Sequence, residues 1–567
     1  MVKGDSKKLG DLLILANGLV LALVLNQLAA VYFFRADLTE ERRYTIKQPT
    51  KDLLMSLDDD VFIEVFLEGD LNTGFRRLNK AVRETLEEFR IYSHSKVHYI
   101  FTDPATALGQ KAQQEFMASL VARGIQPMNV IDTKEGKRTE KIVFPGALVS
   151  FGGTEAGVML LNGNRAQGSE EVLNQSVEGL EFELATAIHS LVNTSRKKIA
   201  LLYGHGELDS LETASLRAHL LQSYDVFSTE LKKNSLRQFD LVFIAKPTLL
   251  FSEADKYELD QYLIHGGKVM LLLDRLEASM DSASRENYFA FPYIQGLDDQ
   301  LFRYGVRVNQ DFIQDIVSMQ YPVVTGMMNG KPQMTPLEWP FFPLINHYAD
   351  HIITRNLDMS VLKFVSSIDT VKAPGIRKTP LLLSSVYSRK VTAPVRVNAN
   401  DVRKEMNRKN FSSGPFALGY LLEGRFTSLY KNRFLPETAD PVMFMADGVP
   451  AKLIIIGDGD VARNEINRRT GQPQDLGFDP LSGYTFANRD LILNMVAYLS
   501  DESGLISVRN KEVKVRPLDK LAITRDRLMW QLVNLILPLL ILASGGFLKK
   551  YMRRRKYGNF VNPATHS

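Results

Sequence analysis

The residues best placed to do chemistry in this 567-residue chain sit in short polar turns that directly follow apolar runs. His205 and Glu207 lie in Gly204-His205-Gly206-Glu207, after the run Ile199 to Tyr203. Asp274 ends the run Val269 to Leu273, and Asp458 and Asp460 lie in Gly457-Asp458-Gly459-Asp460, after Leu453 to Ile456. An imidazole and four carboxylates brought to one sheet edge could bind a divalent cation or hold an acid/base pair. The same turns also favour Gly and Asp for structural reasons, because Asp caps a following helix and Gly permits positive φ.

Other chemistries lack their residues. The chain has no cysteine, which excludes disulfides, thiolate zinc sites, iron–sulfur clusters and cysteine nucleophiles. The phosphate-binding pattern GxxxxGK[ST] and the nucleophile elbow GxSxG are absent. His94, His98, His189, His219, His265, His347, His351 and His566 show no metal-ligand spacing. No cofactor is expected. The net charge of +4 is concentrated at the C-terminal end, where Lys549, Lys550, Arg553, Arg554, Arg555 and Lys556 fall within eight residues. The remainder is slightly acidic, which speaks against a nucleic-acid partner.

The turns must be held by elements, and hydropathy patterning predicts them. Leu12 to Phe34 is apolar apart from Asn17, Asn26 and Gln27, and its length of about 34 Å as a helix suffices to cross a bilayer. Met529 to Leu548 is a second such run, closed by the basic cluster, which predicts a cytoplasmic C-terminus. Two spans put both termini on one side, so residues 1–11 and the tail 549–567 are expected in the cytoplasm and the body outside it. Asn17 and Asn534 lie within the apolar runs and read as contacts to other membrane helices.

After a stem (35–55), strands are expected at Val61 to Leu67, Val97 to Phe101, Ile142 to Phe151 and Val158 to Leu161. Helices are expected at Phe75 to Tyr92, Gln110 to Ala122 and Val172 to Val192. This βαβαββα order predicts a thioredoxin-like domain over 56–195, without dithiol chemistry. A second α/β unit, 196–500, alternates the strands Ile199 to Tyr203, Leu241 to Ala245 and Val269 to Leu273 with the helices Leu211 to Leu221 and Glu253 to Ile264. Leu453 to Ile456 and the helix Arg489 to Leu499 complete it. A doubly wound parallel sheet follows, with a large insertion at about 275–447 whose fold the periodicity does not reveal. Residues 501–528 read as a linker to the second span.

Several stretches resemble a known family. Arg35-Ala36-Asp37-Leu38-Thr39, Phe66-Leu67-Glu68-Gly69-Asp70, the GHGE turn and residues 239–274, 457–466 and 478–520 are similar to the gliding-motility-associated ABC transporter auxiliary protein G family of Bacteroidetes. The resemblance implies a non-enzymatic, membrane-anchored subunit working with a multispanning permease and a cytoplasmic ATPase on separate chains. It also implies a glutamine-amidotransferase-like (flavodoxin-like) second domain. Enzymes of that class need a nucleophilic cysteine, which this chain lacks, so no catalytic residue carries over. The alternatives are a metal-dependent hydrolase acting through His205, Glu207, Asp274, Asp458 and Asp460, or an envelope scaffold without a transport role.

Overall fold

The computed structural model describes residues 5–31, 45–104, 110–134, 137–161, 169–193, 196–232, 235–283, 288–328, 331–355, 357–398, 408–437, 439–501, 504–509 and 520–557. The first domain is built on β1 (Val61–Val65), β2 (Val97–Phe101), β5 (Gly146–Phe151) and β6 (Thr154–Met159). They form a sheet in the order β2-β1-β5-β6, with β1 parallel to β2 and antiparallel to β5. Helix α3 (Thr73–Tyr92) starts at Asn72, whose side chain accepts the Phe75 N–H at 2.9 Å, and buries Phe75, Leu78, Val82, Leu86 and Phe89 at helical spacing. With α5 (Ser169–Val192) it covers one face of the sheet, where Ile63, Val65 and Val149 meet Leu180, Leu184 and Ile188. Leu148 points the other way, as strand alternation requires, and meets Leu120 of α4 (Gln110–Ala122).

Two sequence expectations change here. The run 142–151 is not one strand. Its first part closes a hairpin, β3 (Met128–Lys134) with β4 (Lys137–Val143), and Phe144-Pro145 separates that hairpin from β5. Pro145 has no N–H to give to a ladder, so the apolar run is broken where it looked continuous. The stem and linker are not mere connections either. Helix α2 (Gln48–Met55) and the turn Leu505–Arg509 place Leu53, Leu54, Leu505 and Val508 in the first domain's core. Lys47 Nζ donates to the Ser507 carbonyl at 2.9 Å. The chain therefore enters and leaves the body through one domain.

The second domain carries β7 (Lys198–Leu202), β8 (Asp225–Thr229), β9 (Leu241–Ala245) and β10 (Lys268–Leu272). Later in the chain come a long ribbon of β11 (Ser318–Met328) with β12 (Lys331–Ile345), then β13 (His347–Tyr348), β14 (Ile376–Leu383), β15 (Ala417–Thr427) and β16 (Asp447–Ile456). Eight of these strands form one sheet in the order β13-β14-β15-β16-β10-β9-β7-β8. The five from β16 to β8 are parallel, and β15, β14 and β13 extend the sheet antiparallel. The stretch 275–447 is thus not an insertion standing apart, because it supplies two long strands to the main sheet. Strand β8, DVFST, is too polar to have been read as a strand. It sits at the edge, where one neighbour suffices.

Parallel strands buried on both faces need two cores. Phe243, Met270 and Ile454 pack on Leu216 and Leu220 of α6 (Ala214–Leu220) and on Leu491, Met495 and Val496 of α9 (Asn488–Ser500). Val242, Ile244, Leu271 and Ile455 pack on Leu259 and Leu263 of α7 (Glu253–Ile264) and on Leu301 and Tyr304 of α8 (Asp298–Tyr304). Helix α7 opens with a capping box between Ser252 and Asp255 and stops at Gly266, φ +93°.

Of the two terminal apolar runs, the first lies within α1 (Asp5–Val31), with Tyr32 to Phe34 outside the described residues. The second lies within α10 (Lys520–Tyr557), a 38-residue helix whose stretch Asp526–Met552 is long and apolar enough to cross a membrane.

Candidate functional site

In a doubly wound sheet, ligands gather beyond the carboxyl ends of the strands, at the switch point where successive connections leave toward opposite faces. Here the switch point lies between β7 and β9. The GHGE turn follows β7, and Lys246-Pro247-Thr248-Leu249 follows β9. The crevice between them is closed by hydrogen bonds. The His205 carbonyl accepts the Thr248 and Leu249 N–H groups, both at 2.8 Å, and the Gly206 carbonyl accepts the Thr248 hydroxyl at 3.1 Å. Gly206 permits this approach, since at φ +75° a Cβ there would stand 2.1 Å from Thr248 Oγ1.

His205 is buried at this closure. Its ring stacks on Phe251, centroids 3.9 Å apart and planes 3° from parallel. Nδ1 faces Glu207 Oε1 at 3.4 Å and Nε2 faces Asp255 Oδ2 at 3.3 Å. Each carboxylate is also anchored elsewhere. Glu207 accepts the His205 backbone N–H at 2.7 Å, and Asp255 accepts the Ser252 hydroxyl at 2.6 Å. A neutral imidazole has one N–H and can serve only one of two flanking carboxylates, whereas the imidazolium serves both. Burial disfavours the charged ring, but Glu207 and Asp255 together outweigh it and raise its pKa above the ordinary value.

The other three predicted residues assemble separately, around a lysine the sequence reading passed over. Lys246 directly follows β9 with φ +56°, a left-handed conformation rare outside glycine. Its Nζ lies 3.0 Å from Asp274 Oδ2, beyond β10, and 2.6 Å from Asp460 Oδ1, beyond β16. Gly459 packs face-on, and a Cβ there would meet the Lys246 Cβ at 2.4 Å. Asp274 also accepts the Gly459 N–H, and Asp458 accepts the Lys363 and Asp460 N–H groups, both at 2.7 Å.

The electrostatics follow from crowding charges out of water. Burial pushes Asp274 up to about 6 despite Lys246, and burial with two neighbouring carboxylates drives Asp458 well above the carboxylate range. Burial also opposes ionisation of Asp460, but Lys246 prevails and holds it below its ordinary value. Burial acts against the lysine's charge too, and is overcome by Asp274 and Asp460, which raise its pKa. Lys246 is therefore an ammonium at any ordinary pH. It cannot serve as an amine nucleophile or base, which would need a depressed pKa.

The five sequence candidates thus form two clusters rather than one metal cage. His205 and Glu207 join Asp255, and Asp274, Asp458 and Asp460 join Lys246. Among the described residues no group of three or more His, Asp or Glu is arranged to hold a metal ion. In the larger cluster the lysine stands where a bound cation would neutralise the carboxylates. The open cleft beside it is lined by Lys363, Arg463, Glu465 and Asp479 among others. Its cations are already paired, Lys363 with Glu465 at 2.6 Å and Arg463 with Glu212 and Asp460. The signal that could have found Lys246 is a charged residue directly closing an all-apolar strand, LVFIA.

Residues 196–495, more than half the chain and the whole region holding both clusters, match the family described as "ABC-type uncharacterized transport system". The chain belongs to this family, an auxiliary family of ABC-type transport systems. Residues 40–150 match a second family, "Domain of unknown function (DUF7088)". An "Uncharacterized protein" of Borreliella burgdorferi is 21% identical over 549 residues, 93% of this chain and 95% of that protein. The solved "mmIFT52 N-terminal domain" matches 53% of this chain and 97% of its own at 14% identity, with a TM-score of 0.30. That likeness is too slight to argue from.

Proposed function

We propose that this chain is a non-enzymatic, membrane-anchored auxiliary subunit whose extracytoplasmic body works with a multispanning permease and a separate cytoplasmic ATPase, in envelope transport or gliding motility. Family membership over 196–495 carries the proposal. The closed switch point supports it, because its two loops bond to each other there and the Lys246 ammonium is held by Asp274 and Asp460. The hydrolase alternative has no support from a cluster whose cation is a covalent part of the chain.

In this reading α1 and α10 are the two spans, both termini are cytoplasmic and residues 36–528 lie outside. Asn17 and Asn534 are read as amide contacts to permease helices. The first domain is read as thioredoxin-like, supported by its β2-β1-β5-β6 order. The second is read as amidotransferase-like, supported by its five parallel strands.

The test is purification of the tagged chain from detergent-solubilised membranes, followed by mass spectrometry. Recovery of one permease and one ABC-type ATPase is expected, and their consistent absence would overturn the reading. Protease added to spheroplasts should digest the body and spare a C-terminal tag. Colony spreading after deletion of the gene separates the gliding role from envelope transport.

A further inference from the structure

The basic cluster at the C-terminal end is more than a topology signal. Helix α10 does not stop at the end of its apolar stretch but continues unbroken to Tyr557, through all six cations of Lys549, Lys550, Arg553, Arg554, Arg555 and Lys556. Residues 527–557 contain six further cations beyond Arg527 and no Asp or Glu, so this helical stretch is basic throughout. At 100° per residue, five of the six positions fall on an arc of about 160°, leaving Tyr551, Met552 and Arg555 on the remainder. Tyr551 and Met552 are exposed.

We infer that this helical extension is a binding surface for anionic phospholipid headgroups in the leaflet where α10 emerges. The inference rests on the reading of α10 as a membrane span. Distance favours lipid over an acidic protein. Eight helical residues rise about 12 Å. The headgroup layer is roughly 5–7 Å deep, and a Debye length in physiological salt is about 8 Å. With no spacer between the last apolar residue and Lys549, every cation lies inside that combined depth. A rigid helix cannot withdraw them from it. Each cation so placed attracts the anionic surface, and Tyr551 suits the interface as an amphipathic ring.

The test uses the full chain in vesicles, with the substitution Tyr551→Trp as a fluorescent reporter and the unsubstituted chain, with its distant Trp530, as background. Vesicles contain phosphatidylcholine with about 30% phosphatidylglycerol, one or the other lipid brominated in its acyl chains. At equal mole fraction, brominated phosphatidylglycerol should quench the reporter about threefold more than brominated phosphatidylcholine. The preference should vanish at roughly 1 M salt, where the Debye length falls to about 3 Å. It should also vanish when the six cations are replaced by glutamine. Equal quenching by the two lipids overturns the inference, as does a preference that survives neutralisation. If neutralisation leaves quenching unchanged but releases the copurifying ATPase, the surface reads protein and the lipid assignment is wrong. If neither brominated lipid quenches the reporter or Trp530, the span reading itself has failed and the inference falls with it.

Discussion

The two clusters at the carboxyl edge of the main sheet share one plan, a cation held between carboxylates, and differ in the cation. Around His205 it is an imidazole, a group able to lose its charge, whose pKa the flanking carboxylates raise. Around Lys246 it is an ammonium that two aspartates keep charged. The first arrangement can respond to pH, whereas the second is a permanent lock across the ends of β9, β10 and β16. A cation supplied by the chain also lies among the three aspartates that stand beyond adjacent strands.

The largest expected effect breaks the lock. Lys246→Met leaves buried carboxylates without their cation and should cost about 3–5 kcal/mol in urea unfolding of the full chain. Adding Asp460→Asn should recover part of that loss. Two costs that simply add would mean that the lysine and the aspartate are not coupled.

Next comes the closure that separates the clusters. Gly206→Ala combines a left-handed φ with a clash against Thr248 Oγ1 and should destabilise by about 2 kcal/mol. In a Thr248→Ala background the steric part should disappear while the conformational part stays.

The imidazole arrangement is sharpened by pH. Because the folded pKa of His205 is raised, its stabilising contribution is complete below the unfolded value and is lost as pH rises through the folded one. Thermal unfolding should show this loss on the alkaline side of about 6.5. His205→Gln should abolish it and cost about 1–2 kcal/mol at acid pH. An unchanged pH profile in that variant would show that the ring is not the responding group.

The smallest effect is Asp255→Asn, which weakens the capping box of α7 by about 1 kcal/mol. It should also lower the His205 pKa, read by NMR of the ring protons. Lys246 should be indifferent to it, which is the clearest contrast between the two centres.

Much of the scaffold is legible in the sequence. Helices 110–122 and 253–264 and strands 97–101 and 241–245 have the expected ends, because local signals such as the Ser252 cap and the Gly266 stop of 253–264 act within a few residues of themselves. The 128–143 hairpin was not legible. Its second strand runs into another apolar stretch, and only the partner across the ladder shows that Phe144-Pro145 is a boundary. Strand β8 escaped notice because an edge strand needs neither face fully apolar.

The sequence by itself determined which groups stand at strand ends, that no cysteine chemistry is open to the chain, and that two long apolar stretches lie at its ends. These properties reside in residue type and short-range order. Tertiary structure alone decided how the polar groups are shared out. Glu207 belongs with Asp255, 48 residues away, and Asp274 belongs with Asp460, 186 residues away, through a lysine that periodicity treats as the end of a strand. The physical reason is that a buried charge must find an opposite charge wherever the fold brings one. Strand order, which sets that neighbour, depends on how every connection in the domain crosses the sheet.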